Sequence, residues 1–369
     1  MKIGIDARMY GPKQGGLGRY IEQLILNLED LNETDEFVIF LRQNNWDEYN
    51  PKNPNFKKIL ADIPWYGWQE QIKFPKIIHE QNLDLIHFPH WNIPLFYNKP
   101  FITTIHDLIL LHFPTPRAST LGSLKYWLRN LLFRAVLHHA VKKARHILTP
   151  SEFTRQDIVK TLKINPNKIT TSLLAPMPKS TSSSSIRSLA DFHITKPFIL
   201  YVGVAYPHKN LENLILAWQI FQKKYDKNYH LVLVGIKNYF YDRLSKENDC
   251  TNIVFTDFIS NNNLIALYQQ ASLYVFPSLY EGFGLPPLEA MQYDLPVISS
   301  DQACLPEILQ DACLYFNPLN PKEMAETIHR GLTDQTWRQE TVKKSQKLVH
   351  NYSWKTTANT TLRVYRDML

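Results

Sequence analysis

Residues 276–300 read FPSLYEGFGLPPLEAMQYDLPVISS, and this stretch decides the fold. The apolar run just before it, Leu273 to Phe276, has the length of a buried strand and stops at Pro277. Glu281-Gly282-Phe283-Gly284 then forms a loop whose two glycines leave backbone N–H groups open to a ligand. Pro286 and Pro287 follow Leu285, where the first turn of a helix tolerates a missing N–H. A short helix, Leu288 to Gln292, and a second buried strand, Leu295 to Ser299, complete the pattern. Strand, glycine loop, helix start and strand together place an anionic ligand at the carboxyl edge of a parallel sheet. Glu281 and Glu289 stand eight residues apart, one on the loop and one on the helix, so they can grip two hydroxyl-bearing parts of one ligand. The plain alternative is an ordinary βαβ turn with surface glutamates.

The rest of the chain repeats the alternation. With 369 residues it exceeds what one hydrophobic core usually supports, which implies two domains. Strands are expected at Lys2–Ala7, Phe37–Arg42, Leu83–Phe88, Phe101–Ile105, His146–Thr149 and Ile169–Leu174 in the first half. Gln43 to Asn55 reads as a connecting loop. The second half adds Phe198–Gly203, His230–Gly235 and Ile253–Thr256. Helical patterns lie between, so both halves read as doubly wound α/β sheets. The serine-rich segment within 179–190, Ser182 to Ser185 included, has linker composition between domains 1–178 and 191–350. A last helix occupies 351–369.

Three motifs besides the first carry chemistry. Gly15-Gly16-Leu17-Gly18 opens a helix and is a phosphate cradle in principle. His106 and Asp107 sit just past the carboxyl end of a strand, where α/β sheets place reacting groups, although a lone histidine is more often structural. After Gly203 comes Val204-Ala205-Tyr206-Pro207-His208-Lys209-Asn210, where Lys209 offers a point charge at a sheet edge.

The Glu-x7-Glu stretch resembles the signature of retaining nucleotide-sugar glycosyltransferases of GT-B architecture, especially glycosyltransferase family 4. That resemblance covers nearly the whole chain, about residues 1 to 365. It implies two Rossmann-like domains facing a cleft, with the nucleotide sugar on the second domain and the acceptor on the first. It also implies roles for single residues. Glu289 would hold the ribose hydroxyls and Glu281 a hydroxyl of the transferred sugar, oriented by the N–H groups of Gly282, Phe283 and Gly284, with Leu285 beside them. Lys209, with Gly15 and Gly16, would stabilise the departing diphosphate; Gly203 and His208 belong to the same loop. Asp257 and Phe258 mark the loop that meets the base, and His106 would line the reacting face. The catalytic set is thus His106, Glu281 and Lys209. Val204 departs from the pattern, because the family commonly has an arginine there; Arg8 or Arg19 would have to compensate.

No cofactor or metal is implied, and the chain contains no Asp-x-Asp pair. The wording GFGLPPLEAM with PHKN looks most like mannosyltransferases using GDP-mannose, with UDP-glucose or UDP-N-acetylglucosamine as alternatives and a lipid-linked glycan or polysaccharide as acceptor. Rival readings are an epimerase or phosphorylase on the same architecture and a non-catalytic nucleotide-sugar-binding protein.

Composition sets the surroundings. Three cysteines without metal-ligand spacing fit a reducing cytosol. No run approaches the length of a membrane span, and the start, KIGIDA, is strand-like rather than a leader. The net charge of +7 suits a phosphate-bearing ligand or an anionic bilayer, and no nucleic-acid module is visible. Leu121 to Arg145 reads as one basic helix with a single apolar face. Its main expected role is to cover the sheet; the alternative is a peripheral membrane contact.

Overall fold

The computed structural model describes residues 1–115, 122–179, 189–195, 197–248 and 250–368. It divides into two compact units. The N-terminal unit comprises Met1–His112, Ser123–Leu174 and the chain from Ser353 onward. The C-terminal unit is built on Ala175–Tyr352. The expected linker stretch at 180–188 lies outside the described residues.

Each unit is one fully parallel sheet. The N-terminal sheet contains β1 (Lys2–Asp6), β2 (Glu36–Leu41), β3 (Phe56–Leu60), β4 (Leu85–Phe88), β5 (Phe101–Thr104), β6 (His146–Thr149) and β7 (Ile169–Thr171). Its order is β3-β2-β1-β4-β5-β6-β7. The C-terminal sheet contains β8 (Phe198–Val202), β9 (His230–Val234), β10 (Ile253–Phe255), β11 (Leu273–Phe276), β12 (Val297–Ser300) and β13 (Leu314–Phe316), ordered β10-β9-β8-β11-β12-β13. The central strands are buried along their whole length, and β9 and β11 accordingly read as near-continuous apolar runs rather than alternating ones. In both sheets the strand order reverses once, between β1 and β4 and between β8 and β11. Those reversals open a crevice at the carboxyl ends.

Several expectations change in detail. The segment 43–55 is not a plain loop, because Gln43–Glu48 forms a 3-10 turn, held at its start by the Arg42 N–H donating to Asn45 Oδ1. β3 was not foreseen: its sequence, FKKIL, carries two lysines, which suits an edge strand but breaks the apolar signature. The helix after the glycine loop starts at Leu285 and includes both prolines, and the strand behind it begins at Val297 rather than Leu295.

The basic helix Ser123–Lys143 departs most. It does not have one apolar face. Phe133, Leu137, Ala140 and Val141 are buried in the core against the sheet, while Trp127, Leu128, Leu131 and Leu132 are exposed. The last helix, Trp354–Asp367, packs on the first, Gly15–Leu31. Ser172 donates to the carbonyl of Thr357, and Arg366 pairs with Asp35 at 3.1 Å.

Candidate donor site at the carboxyl edge of the C-terminal sheet

The loops after β8 and β11, the two strands at the reversal, meet through side chains. Lys209 Nζ donates to Glu281 Oε1 at 2.6 Å, with both side chains largely withdrawn from solvent. The backbone ties the same loops, as the Leu279 N–H donates to the His208 carbonyl at 2.8 Å. Glu281 is therefore no surface glutamate of an ordinary βαβ turn.

Asn210 explains why Lys209 is aimed there. It ends the turn Pro207–Lys209 in the left-handed region, with φ 62°, a conformation asparagine tolerates better than most side chains. Its buried amide donates to the carbonyls of Pro277 (3.1 Å) and Pro318 (2.8 Å), bolting the β8 loop to the end of β11. Sequence reasoning quoted Asn210 but gave it no role. An asparagine directly before a helix was the available signal.

Glu289 lies on the helix Leu285–Gln292 and is 9% exposed. Tyr268 donates its hydroxyl to Glu289 Oε2 at 3.2 Å, a partner the sequence did not suggest. Both glutamates act on one buried phenol: burial first, then the charges of Glu289 and Glu281, push Tyr274 well above the ordinary tyrosine range. Gly284 has φ 89°, and an added Cβ would meet Leu305 at 2.8 Å, so this turn requires glycine. Phe283 is buried edge-on against Tyr352, which fixes the loop from behind.

The remaining loop residues divide. His208 is held neutral, its pKa lowered to about 4 by burial, then by the adjacent Lys209 charge, with Glu281 opposing. It cannot replace the cation missing at Val204. Tyr241 donates to the Gly203 carbonyl at 2.7 Å, so Gly203 is a loop anchor. Asp257 locks its own turn: Oδ1 accepts from the Lys237 and Phe258 N–H groups, both at 2.7 Å. Those backbone bonds hold its carboxyl below the usual range. Phe258 beside it is 74% exposed.

Gly15, Gly16 and His106 belong to the N-terminal unit. Gly15 begins the first helix at φ 64°, and a Cβ at Gly15 or Gly16 would meet nothing within 4 Å, so the helix start faces open space. His106 Nε2 lies 3.0 Å from the Pro89 carbonyl, which can only accept, so that nitrogen carries the proton and Nδ1 presents a lone pair. Burial lowers its pKa to about 4, and the ring packs edge-on against Tyr20 at 4.7 Å. Asp107 accepts from the Ile109 N–H and shapes the loop.

Arg8 was a candidate for the missing cation, and the structure overturns that. Its guanidinium is 2% exposed, pairs with Asp6 at 2.8 Å and Glu70 at 2.6 Å, and stacks over Phe74. It is a core group. Beside it, at the β1/β4 reversal, lies a small pocket lined by Asp6, Arg8, Met9, Trp65, His90 and Asn92 among others. Among the described residues no cluster of His, Cys, Asp or Glu is arranged to hold a metal.

Two parallel-sheet units, each with a polar site at its strand reversal, define a GT-B protein, and the chain belongs to the GT-B glycosyltransferases of family 4. The model for "Glycosyltransferase Family 4" matches residues 14–171, and that for "Glycosyl transferases group 1" matches 187–348. The O-antigen chain mannosyltransferase B of Escherichia coli is 26% identical, covering 95% of this chain and 96% of its own. The O-antigen chain mannosyltransferase RfbU of Salmonella typhimurium is 29% identical over 73% of this chain and 70% of its own. Among solved structures, the sucrose-phosphate synthase of Thermosynechococcus elongatus superimposes with a TM-score of 0.75 at 19% identity, covering 100% of this chain and 99% of its own. WaaG, a glycosyltransferase of lipopolysaccharide biosynthesis, gives 0.72 at 16% identity, with 98% and 99% covered.

Proposed function

We propose that this glycosyltransferase moves mannose from GDP-mannose, with retention of anomeric configuration, onto a lipid-linked or polysaccharide acceptor in the cytoplasm. The observation that carries the reading is the Lys209–Glu281 pair at the β8/β11 reversal, with Glu289 on the adjoining helix. Lys209 has one carboxylate partner, and an arriving diphosphate can take that partner's place. Its charge then stabilises the leaving group as the sugar departs. Glu281, released from the lysine, accepts from a sugar hydroxyl, and Glu289 accepts from the ribose hydroxyls. The amides of Gly282, Phe283 and Gly284 orient the same sugar. On the N-terminal unit, the helix start at Gly15 and Gly16 contributes N–H groups, and His106 offers the Nδ1 lone pair to a hydroxyl. As the bond from sugar to diphosphate breaks, the departing phosphate takes the acceptor hydroxyl's proton, so His106 is not the base. The acceptor is taken up on the N-terminal unit, the side the family resemblance assigns to it.

Mannose is favoured by the two mannosyltransferase relatives named above. The charge on Lys209 makes a divalent cation unnecessary in this scheme, so transfer is expected to survive chelation by EDTA.

The test is a thermal-shift panel of GDP-mannose, GDP, UDP-glucose, UDP-N-acetylglucosamine and UDP. A ligand that binds only the folded state raises the melting temperature. GDP and GDP-mannose should shift it, and Glu289→Ala and Lys209→Ala should remove the shift. A shift with UDP compounds alone would move the donor to a UDP sugar. Binding without transfer or donor hydrolysis would leave a non-catalytic nucleotide-sugar binder.

A further inference from the structure

Three buried phenols meet three successive carbonyls at the end of β8. Tyr274 donates to Val202 at 3.4 Å, Tyr241 to Gly203 at 2.7 Å and Tyr201 to Val204 at 3.1 Å. The glycines that follow β8 and β9 make room for this. A Cβ at Gly203 would meet the Tyr201 hydroxyl at 2.6 Å, and one at Gly235 would overlap the Gly203 carbonyl and the Tyr241 hydroxyl. Burial is the first cause that raises Tyr201 and Tyr241 above the ordinary tyrosine range, so at neutral pH both keep the proton they donate.

A trans peptide unit points its C=O and its N–H in opposite directions. Among the described residues no peptide bond is cis. Holding the carbonyls of Gly203 and Val204 on buried phenols therefore turns the N–H groups of Val204 and Ala205 away from the core. The Gly203 N–H, opposite the Val202 carbonyl, is taken up by the Val234 carbonyl at 2.9 Å. The next two are not taken up: among the described residues the Val204 and Ala205 N–H groups have no acceptor. Ala205 is only 6% exposed, and a backbone donor withdrawn from water is ordinarily paired. Adjacent donors turned outward from one loop make an anion-binding concavity.

We propose that the Val204 and Ala205 amides bind the diphosphate of the donor, in place of the arginine common in the family at position 204. Tyr241 and Tyr201 are the positioning residues that aim them. This role presupposes the donor reading of the β8 and β11 loops given above. It resolves the missing cation from within the same loop, since His208 is neutral and Arg8 is locked in the core. An N–H bound to a phosphoryl oxygen makes a charge-assisted hydrogen bond, and a backbone donor needs no side-chain ordering. Valine is tolerated at 204 because its amide, rather than its side chain, does the binding. Lys209 adds the full positive charge from the same loop.

The dipeptides Gly-Val and Val-Ala each occur once in the chain, at 203–204 and 204–205. Labelling the carbonyl carbon of the first residue and the amide nitrogen of the second therefore isolates each N–H in an NMR spectrum of the full chain. The probes are GDP and UDP, with GMP and UMP as counterparts one phosphate shorter. The diphosphate that raises the melting temperature should also move both amide protons downfield, and its monophosphate should move them less. Tyr241→Phe should weaken binding of that diphosphate roughly tenfold, the size of one charge-assisted hydrogen bond, and leave the monophosphate nearly unaffected. Saturation with a diphosphate that leaves both amide protons in place overturns the assignment while the donor site stands. An equal loss for mono- and diphosphate in Tyr241→Phe overturns the positioning role. Absence of binding by both GDP and UDP overturns the donor reading and this assignment with it.

Discussion

The two units place polar clusters at the same topological position, the strand reversal, and commit their cations in opposite ways. At β1/β4, Arg8 is enclosed by Asp6, Glu70, the Ile63 carbonyl and the ring of Phe74, and Asn92 donates to both oxygens of Glu70. At β8/β11, Lys209 rests on a single carboxylate at the rim. A guanidinium's planar fork suits a permanent multi-bonded lock, whereas an ammonium with one partner can exchange it. The N-terminal cluster therefore shapes a pocket wall, while the C-terminal one keeps its cation on a single exchangeable carboxylate.

Acid should widen the contrast most. Burial, with the charge of His106 adding to it, lowers His87 and His90 to about 3, and burial lowers His106 to about 4, all from 6.5. His87 is held on both ring nitrogens, by Tyr365 at 2.7 Å and Thr104 at 2.8 Å. In the unfolded chain these rings take protons near pH 6.5, so between there and their folded values the unfolded state binds more protons. Stability is then complete above about 6.5 and falls as the pH drops toward 3. Three rings together cost on the order of several kcal/mol, comparable to the stability of a whole domain. The C-terminal unit has His208 lowered to about 4 in the same sense. Hydrogen exchange across pH 7 to 4 should show the N-terminal strands losing protection first. Simultaneous loss would mean that the histidines do not set the order.

Next in size is the buried arginine. Arg8→Met leaves Glu70, with no exposed surface, without its cation, and should destabilise the N-terminal unit by about 3–5 kcal/mol. Lys209→Met leaves the largely buried Glu281 without its cation and should cost less, about 1–3 kcal/mol, while abolishing the nucleotide-dependent thermal shift. Urea unfolding of both variants measures the difference. Similar losses would erase the distinction between a structural lock and an exchangeable ligand group.

The same difference governs what the sequence revealed. The C-terminal site is local: Glu281, Gly284 and Glu289 lie within one strand–loop–helix unit, so their spacing implied their geometry. Only the residues reaching that unit from elsewhere, Asn210 and Tyr268, went unassigned. The N-terminal network joins Arg8, Glu70 and Asn92, and Tyr365 reaches His87 from the last helix, contacts that short-range periodicity cannot register. Arg8 consequently read as an available cation. The basic helix misled for a related reason. A pattern apolar on two sides contains a valid core stripe, and finding that stripe conceals the exposed one. β3 was lost because its lysines, useful at a sheet edge, resemble loop composition.

Asn210 offers the finest test, because it carries two separable jobs. Its φ of 62° strains most side chains, and its amide holds the carbonyls of Pro277 and Pro318. Asn210→Ala loses both and should cost about 2–4 kcal/mol, combining the lost amide hydrogen bonds with a left-handed alanine; Asn213 still donates to the Pro318 carbonyl. Asn210→Gly keeps the backbone conformation and loses only the hydrogen bonds, about 1–3 kcal/mol. Both substitutions unbolt the β8 loop from β11, so both should weaken the nucleotide-dependent shift even though neither removes Lys209. If the glycine variant binds nucleotide as well as the parent, Lys209 finds its position without the amide. The lysine's aim would then come from the Lys209–Glu281 pair itself, and the C-terminal site would be less preorganised than its N-terminal counterpart.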